Sequence, residues 1–414
     1  MTAVEPALKS VDAHLDDVLS VIAPLADLEL QLVDAHGCVL AEDVASPIPL
    51  PPFDNSGMDG YAVRSADLRD ANPLTPVTLP VVGDIAAGSV NRDAIRPGMC
   101  MRIMTGALLP AGADAVVPVE WTDGGLASVT VTRTPSAGQH VRHAGEEVAA
   151  GAVVLTAGTH IGAAQLGLLA SVGRDRVRVR PRPRVVVIST GSELVEAGGQ
   201  LSGAQIYDSN SYALAAAARE AGAVPYRVGI VPDDPRLLLD ILEDQLIRAD
   251  VIVTSGGVSV GAYDVVKEVL ARIGTVTFDR VAMQPGMPQG FGTLGPDSVP
   301  IFGLPGNPVS AFVSFEVFVR PALRRMLGAE PITRPQVSAT LTAPLRAPAG
   351  KRAFVRARLS MREGVRVATP VGGAGSHLVV GLAAANALVV VPEEVTEMAA
   401  GETASVMVLE RRQR

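Results

Sequence analysis

The sequence predicts an α/β chain with added β structure. The expected parts are a doubly wound, mostly parallel sheet, an inserted small β domain, a discontinuous α/β extension and a C-terminal β-barrel-like domain. Three observations predict this. Between residues 182 and 330, apolar runs of strand length alternate with amphipathic runs of helix length, the mark of a parallel sheet with crossover helices. From about Ala62 to Arg142, and again from Pro331 onward, the text is short β runs between turns. The 414 residues, 48% of them apolar, exceed one ordinary domain and can fill several cores.

The chain begins with helical spacing, Val11, Leu15, Val18, Leu19 and Ile22 sharing one side, and Pro24 closes it. LELQLVDAHGCVLAEDVAS then alternates as strands do. PIPLPPFDNSGMDGYAVR is Pro-rich and then Gly-rich, a long structured loop that opens a new unit. VTLPVVGDI, MCMRIMTG, AVVPVEW and LASVTVTRT are β runs. EEVAAGAVVLTAGTHIGAAQLGLLASVG returns to a strand, a turn at AGTH and a helix. Arginine occupies every second position from Arg174 to Arg184, which on a strand puts all six on one face. That face is either a solvated joint or an anion-facing strip.

RVVVIST, VPYRVGIV and DVIVTSGG read as buried strands. DSNSYALAAAAREAG reads as a helix with Asp208 or Ser209 as N-cap and Gly222 past its end. DPRLLLDILEDQLIRA and YDVVKEVLARIG read as the next helices, and VSAFVSFEVFVRPALRRML as a long closing one. QVSATLTA, KRAFVRARLS, VRVATP, ALVVVP and TASVMVL finish the chain as β runs. The expected division is 7–46 with 144–181 as a discontinuous N-terminal domain, 47–143 as the inserted β domain, 182–330 as the doubly wound domain and 331–414 as the C-terminal β domain.

Composition bounds the function. A net charge of −8 argues against non-specific nucleic-acid binding, which needs a basic field. Cys38 and Cys100 stand far apart without metal-type spacing, and a reducing cytoplasmic setting is expected. The first 20 residues carry too many charges for a signal-peptide core. Glycines and polar residues in 148–173 argue against a membrane span.

Ligands of doubly wound sheets sit beyond the carboxyl ends of the strands. Four loops leave such ends here: TGSEL, GIVPDDP, TSGGVSVGAYD and GLPGNPVS. Their glycines, among them Gly256 and Gly257, and Ser259 can present backbone N–H groups to a phosphate without any lysine. Glu193, Asp233 or Asp234, and Asp264 fall on the same edge. Acids beside a phosphate site imply a divalent cation between them, and Mg²⁺ uses one or two carboxylates with phosphate oxygens and water. Alternatively, Asp264 simply caps the helix that follows it. Outside this region, Asp54, Asn55 and Asp59 sit in a glycine-flanked turn, and Thr105 and Gly106 at a loop tip.

The motifs PFDNSGMDGYAVR, RIMTGA, GADAVVPVE, ISTGSEL, IYDSNSY, TSGGVSVGAYD, GLPGNPVSAF and GSH occur in this order over nearly the whole chain. The sequence resembles the molybdopterin molybdenumtransferases, the MoeA/gephyrin E-domain family. The resemblance implies molybdenum cofactor biosynthesis: hydrolysis of adenylylated molybdopterin with Mg²⁺ and insertion of molybdate into the dithiolene, releasing AMP. It implies a cytoplasmic homodimer whose cleft is shared between subunits. Molybdopterin adenylyltransferase and apo-molybdoenzymes are the implied protein partners, with no nucleic acid and no membrane. By position it implies catalytic roles for Asp59, Thr105, Glu193 and Asp264, with metal binding by Asp233, Glu193 and Asp264. Cofactor contacts follow at Gly256, Gly257, Ser259, Pro305, Gly306, Asn307, Pro308 and Ser376. Glu147 stands where many relatives carry aspartate. Gln284 and Met287 stand where many carry lysines expected to meet an anion. A non-catalytic molybdopterin-binding or scaffold paralogue is the alternative reading.

Overall fold

The computed structural model describes residues 8–89, 93–257 and 265–409. They fall into two compact units. One comprises the described parts of 1–41, 158–162 and 177–414; the other comprises 42–157 and 163–176.

The first unit is built on a six-stranded sheet. Its elements are β1 (Arg184–Thr190), α1 (Asn210–Glu220), β2 (Val224–Val231), α2 (Pro235–Leu246), β3 (Val251–Ser255), α3 (Val265–Ile273), β4 (Thr277–Arg280), β5 (Pro288–Leu294) and β6 (Val299–Leu304). The strand order is β2-β1-β3-β6-β5-β4. β2, β1, β3 and β6 run parallel, while β5 and β4 close one edge antiparallel. Strand periodicity splits the core between the faces. Val185, Val187, Val251 and Val253 face one layer with Leu214 and Ala218 of α1. Val186, Ile188 and Ile252 face the other with Leu238 and Leu242 of α2 and Leu270 of α3. Residues 185–188 are fully buried, and each such side chain contributes about 1.5–3 kcal/mol.

Helix α4 (308–327) closes this region. It has one wide turn at Phe315–Val319 and ends on Gly328, whose φ of 68° lets it cap the last carbonyls. The N-terminal helix Val11–Val21 buries Val11 and Val18 in the same layer as α1 and α4. His14 meets Phe318 edge-on, and Lys9 pairs with Asp279 at 2.7 Å.

Strands β7 (Gln336–Leu341), β8 (Arg352–Arg362), β9 (Val365–Pro370), β10 (Ala387–Val391) and β11 (Thr403–Val408) form a closed ring. The pairings β8–β9, β9–β7, β7–β11, β11–β10 and β10–β8 complete it. Five strands leave a narrow interior, and small side chains fill much of it: Ala339, Ala353, Ala357, Ala368, Ala387 and Ala404.

The second unit is centred on a five-stranded sheet in the order Ala115–Pro118, Gly60–Val63, Cys100–Ile103, Val77–Ile85, Ser128–Val131. Tyr61 and Val63 pack on one face and Ala62 on the other. Among the described residues no helix is long and apolar enough to cross a membrane. The expected turn and helix after residue 155 are present as Gly158 and Ala163–Ser171.

The alternating arginines depart from expectation. The strand they begin ends at Arg180, and β1 starts afresh at Arg184. Pro181 and Pro183 lack the N–H a continuous ladder needs, so the six do not share one face.

Candidate functional site

A cleft of about 720 Å³ opens beyond the carboxyl ends of β1, β3 and β6. This is where a doubly wound sheet changes direction, with crossovers leaving to opposite faces. The turn after β1 brings Gly191 and Glu193, the turn after β2 brings Asp233, and β3 ends on Ser255, Gly256 and Gly257. The loop after β6 supplies Pro305, Gly306, Asn307 and Pro308, and α1 presents Asn210.

Gly256 is dictated by crowding. Its φ is +101°, and an added Cβ would lie 2.5 Å from the Thr190 carbonyl oxygen. Its own N–H donates to the Leu304 carbonyl at 3.1 Å, so β1, β3 and β6 meet here with no room for a side chain. Asn210 ties the rim together. Its Nδ2 donates to Ser255 Oγ at 2.7 Å and to the Gly306 carbonyl at 2.6 Å.

Asp208 anchors the entry to α1 from beneath. It is 3% exposed and accepts from Ser189 Oγ at 2.9 Å, Ser211 N at 3.1 Å and Ser211 Oγ at 2.5 Å. Arg227 lies 3.8 Å from the same carboxylate and stacks 3.6 Å from the Tyr212 ring centre. The expected choice between Asp208 and Ser209 as cap resolves to Asp208 by side-chain bonding, since Ser209 makes no such bond.

The choice between Asp233 and Asp234 also resolves. Asp234 Oδ1 accepts from Arg236 N at 2.8 Å and Leu237 N at 3.2 Å, capping α2. Asp233 lines the cleft, and its Oδ2 accepts from Ser192 N at 3.2 Å while Ser192 Oγ accepts from Asp233 N at 3.1 Å. Glu193 and Asp233 thus stand exposed on one wall. No lysine or arginine joins that wall among the described residues. A phosphate there depends on backbone N–H groups, the N-terminus of α1 and a cation. The carboxylates of Glu193 and Asp233 are the hard oxygen donors that Mg²⁺ takes, and His377 brings the one nitrogen donor for a metal among the described residues lining the cleft. No group of three or more His, Cys, Asp or Glu side chains placed to hold a metal ion occurs among the described residues. Ser259 and Asp264 lie outside the described residues.

The loop before α4's flank is held by Arg356, which is 4% exposed. Its Nη1 donates to the Gly375 carbonyl at 3.1 Å, and its Nη2 reaches the Gly373 carbonyl. Ser376 is absent from the cleft wall but accepts from Val309 N at 3.0 Å through its carbonyl. His377 beside it lines the cleft instead. Sequence reasoning missed Asn210, Asp208 and His377 as site residues. Their motifs, IYDSNSY and GSH, were the available signal.

Gln284 and Met287 are not on this wall either. Gln284 lines an adjoining cleft of about 480 Å³ with Arg356 and Pro344, and Met287 Sδ lies 3.8 Å from Arg280.

In the second unit, Asp59 and Thr105 come together. Asp59 Oδ1 accepts from Thr105 N at 2.6 Å and Thr105 Oγ1 at 2.8 Å. Those donors hold the Asp59 carboxyl below the usual carboxylate range. Gly60 has no space for a side chain, because a Cβ would meet the Val117 carbonyl at 2.0 Å.

Comparison with known proteins agrees with this layout. Residues 6–173 match the MoeA N-terminal region (domain I and II), 186–325 a probable molybdopterin binding domain, and 338–409 the MoeA C-terminal region (domain IV). The chain is 48% identical to molybdopterin molybdenumtransferase 2 of Mycobacterium tuberculosis, covering 95% of this chain and 98% of that protein. It is 38% identical to the molybdopterin molybdenumtransferase of Nostoc, covering 92% and 89%. A crystal structure of a molybdopterin biosynthesis MoeA protein from Pyrococcus horikosii superposes with a TM-score of 0.79 at 32% identity, covering 98% of this chain and all of that one. Three consecutive family regions, relatives matched end to end and a shared architecture leave one assignment: the chain belongs to the molybdopterin molybdenumtransferase (MoeA) family.

Proposed function

We propose that the 720 Å³ cleft takes adenylylated molybdopterin and molybdate, and that the chain is the transferase that inserts the metal. The carrying observation is the shared wall of Glu193 and Asp233, set among glycine turns at the ends of β1, β3 and β6. The pyrophosphate lies against the backbone N–H groups of Gly256 and Gly257 and the N-terminus of α1. Glu193 and Asp233, with Asp264, would hold Mg²⁺, which would supply positive charge to offset that of the phosphates. Water cleaves the phosphoanhydride to give AMP and molybdopterin, each keeping its own phosphate, and molybdate then bonds the two dithiol sulfurs while the two thiol protons leave with one of its oxide ligands as water. The oxyanion draws no positive charge from Gln284 or Met287; Gln284 has a neutral amide donor and Met287 has none. The chain works as a cytoplasmic homodimer. Asp59 and Thr105 act in a second subunit's cleft, and the four-part division of the sequence describes its domains.

The test is incubation with adenylylated molybdopterin, Mg²⁺ and molybdate, following AMP release and reconstitution of an apo-molybdoenzyme. Asp264→Ala should abolish Mg²⁺-dependent turnover with the fold intact. AMP release without active cofactor would sink this reading.

A further inference from the structure

The two acids of the cleft wall come from different parts of the chain. Asp233 follows directly on β2, whereas Glu193 stands on a long excursion between β1 and α1. That excursion folds on itself. Leu194–Val195 pairs with Ile206–Tyr207, and Tyr207 Oη donates to the Gly199 carbonyl at 3.0 Å. At its base Ile206 N donates to the Glu193 carbonyl and Asp208 N to the Val195 carbonyl, both at 2.9 Å.

Glu196, three residues past Glu193, gives the excursion a further hold. It is exposed, yet Arg227 Nη2 donates to both of its carboxylate oxygens at 3.1 Å, and Tyr212 Oη donates to its Oε2 at 3.1 Å. Arg227 lies on β2 and Tyr212 in the first turn of α1. An exposed ion pair contributes little when two long side chains must be ordered for one contact. Here the guanidinium is already ordered. Its Nε donates to Ser211 Oγ at 2.8 Å, its plane stacks on the Tyr212 ring, and the buried Asp208 carboxylate lies 3.8 Å away. Glu196 therefore meets a fixed partner.

The backbone of β2 is also shaped at this point. Val187 pairs with Arg227 and Ile188 with Gly229, so Val228 is an extra residue on β2. Gly229 takes the positive φ of 97° that follows. Such bulges re-aim side chains and are rare between parallel strands. This one separates Arg227 from Asp233, six residues apart on one segment. The strand that delivers Asp233 to the cleft thus also grips the excursion that delivers Glu193.

We propose that Arg227 is a positioning residue for this pair of acids: by gripping Glu196 it fixes the separation of Glu193 and Asp233 at which a divalent cation is held. The cation itself rests on the proposed function; the grip rests on the geometry. The test uses the full chain in two variants. Glu196→Ala removes the grip at an exposed site, so it keeps the test open if Arg227→Met disturbs folding around Asp208. Backbone hydrogen exchange over residues 193–207 should quicken about 10-fold or more in both, since the excursion loses a hold. The Mg²⁺ concentration for half-maximal AMP release should rise about 10-fold, as when a group that orients a metal ligand is lost. The denaturation midpoint of Glu196→Ala should stay near wild type. Unchanged exchange in Glu196→Ala would overturn the grip. Faster exchange with a wild-type Mg²⁺ requirement would overturn the positioning role. Wild-type AMP release indifferent to Mg²⁺ would count against the proposed function, and the exchange rates would then uphold or overturn the grip by themselves.

Discussion

Asn210 offers the sharpest test of how the cleft is held. A carbonyl oxygen only accepts, so the bond to Gly306 O at 2.6 Å requires the amide nitrogen on that side. The second amide hydrogen serves Ser255 Oγ at 2.7 Å. One side chain thus ties the start of α1 to the loops after β3 and β6. Each bond contributes about 0.5–1.5 kcal/mol net, so Asn210→Ala removes about 1–3 kcal/mol of loop ordering. If substrate must then order those loops, its affinity falls roughly 5- to 150-fold. Asn210→Asp keeps the shape but loses both donors and sets a carboxylate against the Gly306 carbonyl, so its loss should equal or exceed alanine's. The assay is AMP release against substrate concentration, with urea denaturation in parallel. KM should rise in both variants while the denaturation midpoint moves little, because the bond to Gly306 lies at the exposed rim. Wild-type KM in both variants would refute the claim that Asn210 organises the cleft.

Three further outcomes are expected. Asp233→Asn should raise the Mg²⁺ requirement at constant stability; Asp234→Ala should cost about 1 kcal/mol as a lost cap with unchanged Mg²⁺ dependence, and identical Mg²⁺ titrations for the two would contradict the assignment. Mixing Asp59→Ala with Asp264→Ala chains should restore part of the activity through heterodimers carrying one intact site; no recovery, with heterodimers confirmed by native mass spectrometry, would place the site within one chain. Burial pushes the Cys100 thiol up to about 12 from 9.0, so the folded thiol stays neutral while the unfolded one ionises. Its stabilising contribution is complete below pH 9 and declines as pH rises toward 12, by up to about 1.4 kcal/mol per pH unit. Thiol-reagent labelling at pH 8 should therefore spare Cys100 until the chain unfolds, and prompt labelling of the native protein would contradict its burial.

Much of the architecture was legible because period-two and period-3.6 patterns report local burial directly. Val185 to Ile188 read as a buried strand because both faces of a doubly wound sheet are covered. The alternating arginines misled for the opposite reason. Their spacing suited a strand, but Pro181 and Pro183 removed the ladder N–H groups, and Arg182 turned to the carbonyls past α1. Glu193 and an acid of the Asp233–Asp234 pair were legible on one sheet edge, whereas the split between Asp233 and Asp234 was not. Adjacent acids before a helix are equivalent in sequence, and only the backbone path decides which one bends back to Arg236 N. Asn210 was hidden because its partner Gly306 lies far along the chain, and His377 because its loop is placed by Arg356 on β8.

The charges around α1 join these observations. At its N-terminal end stand Asp208, Glu193 and Asp233; at its C-terminal end stand Arg219, Arg182 and Arg334. This is the arrangement the helix dipole favours, at about 0.3–1 kcal/mol for a well-placed exposed charge. At the C-terminal end the dipole favours the arginine side chains themselves. At the N-terminal end the dipole and glycine N–H groups favour a phosphate while the acids oppose it, so the proposed binding there needs a divalent cation. Removing divalent cations should therefore abolish phosphate binding at the cleft, and restoring Mg²⁺ should recover it; binding that is indifferent to the cation would contradict the metal role of Glu193 and Asp233.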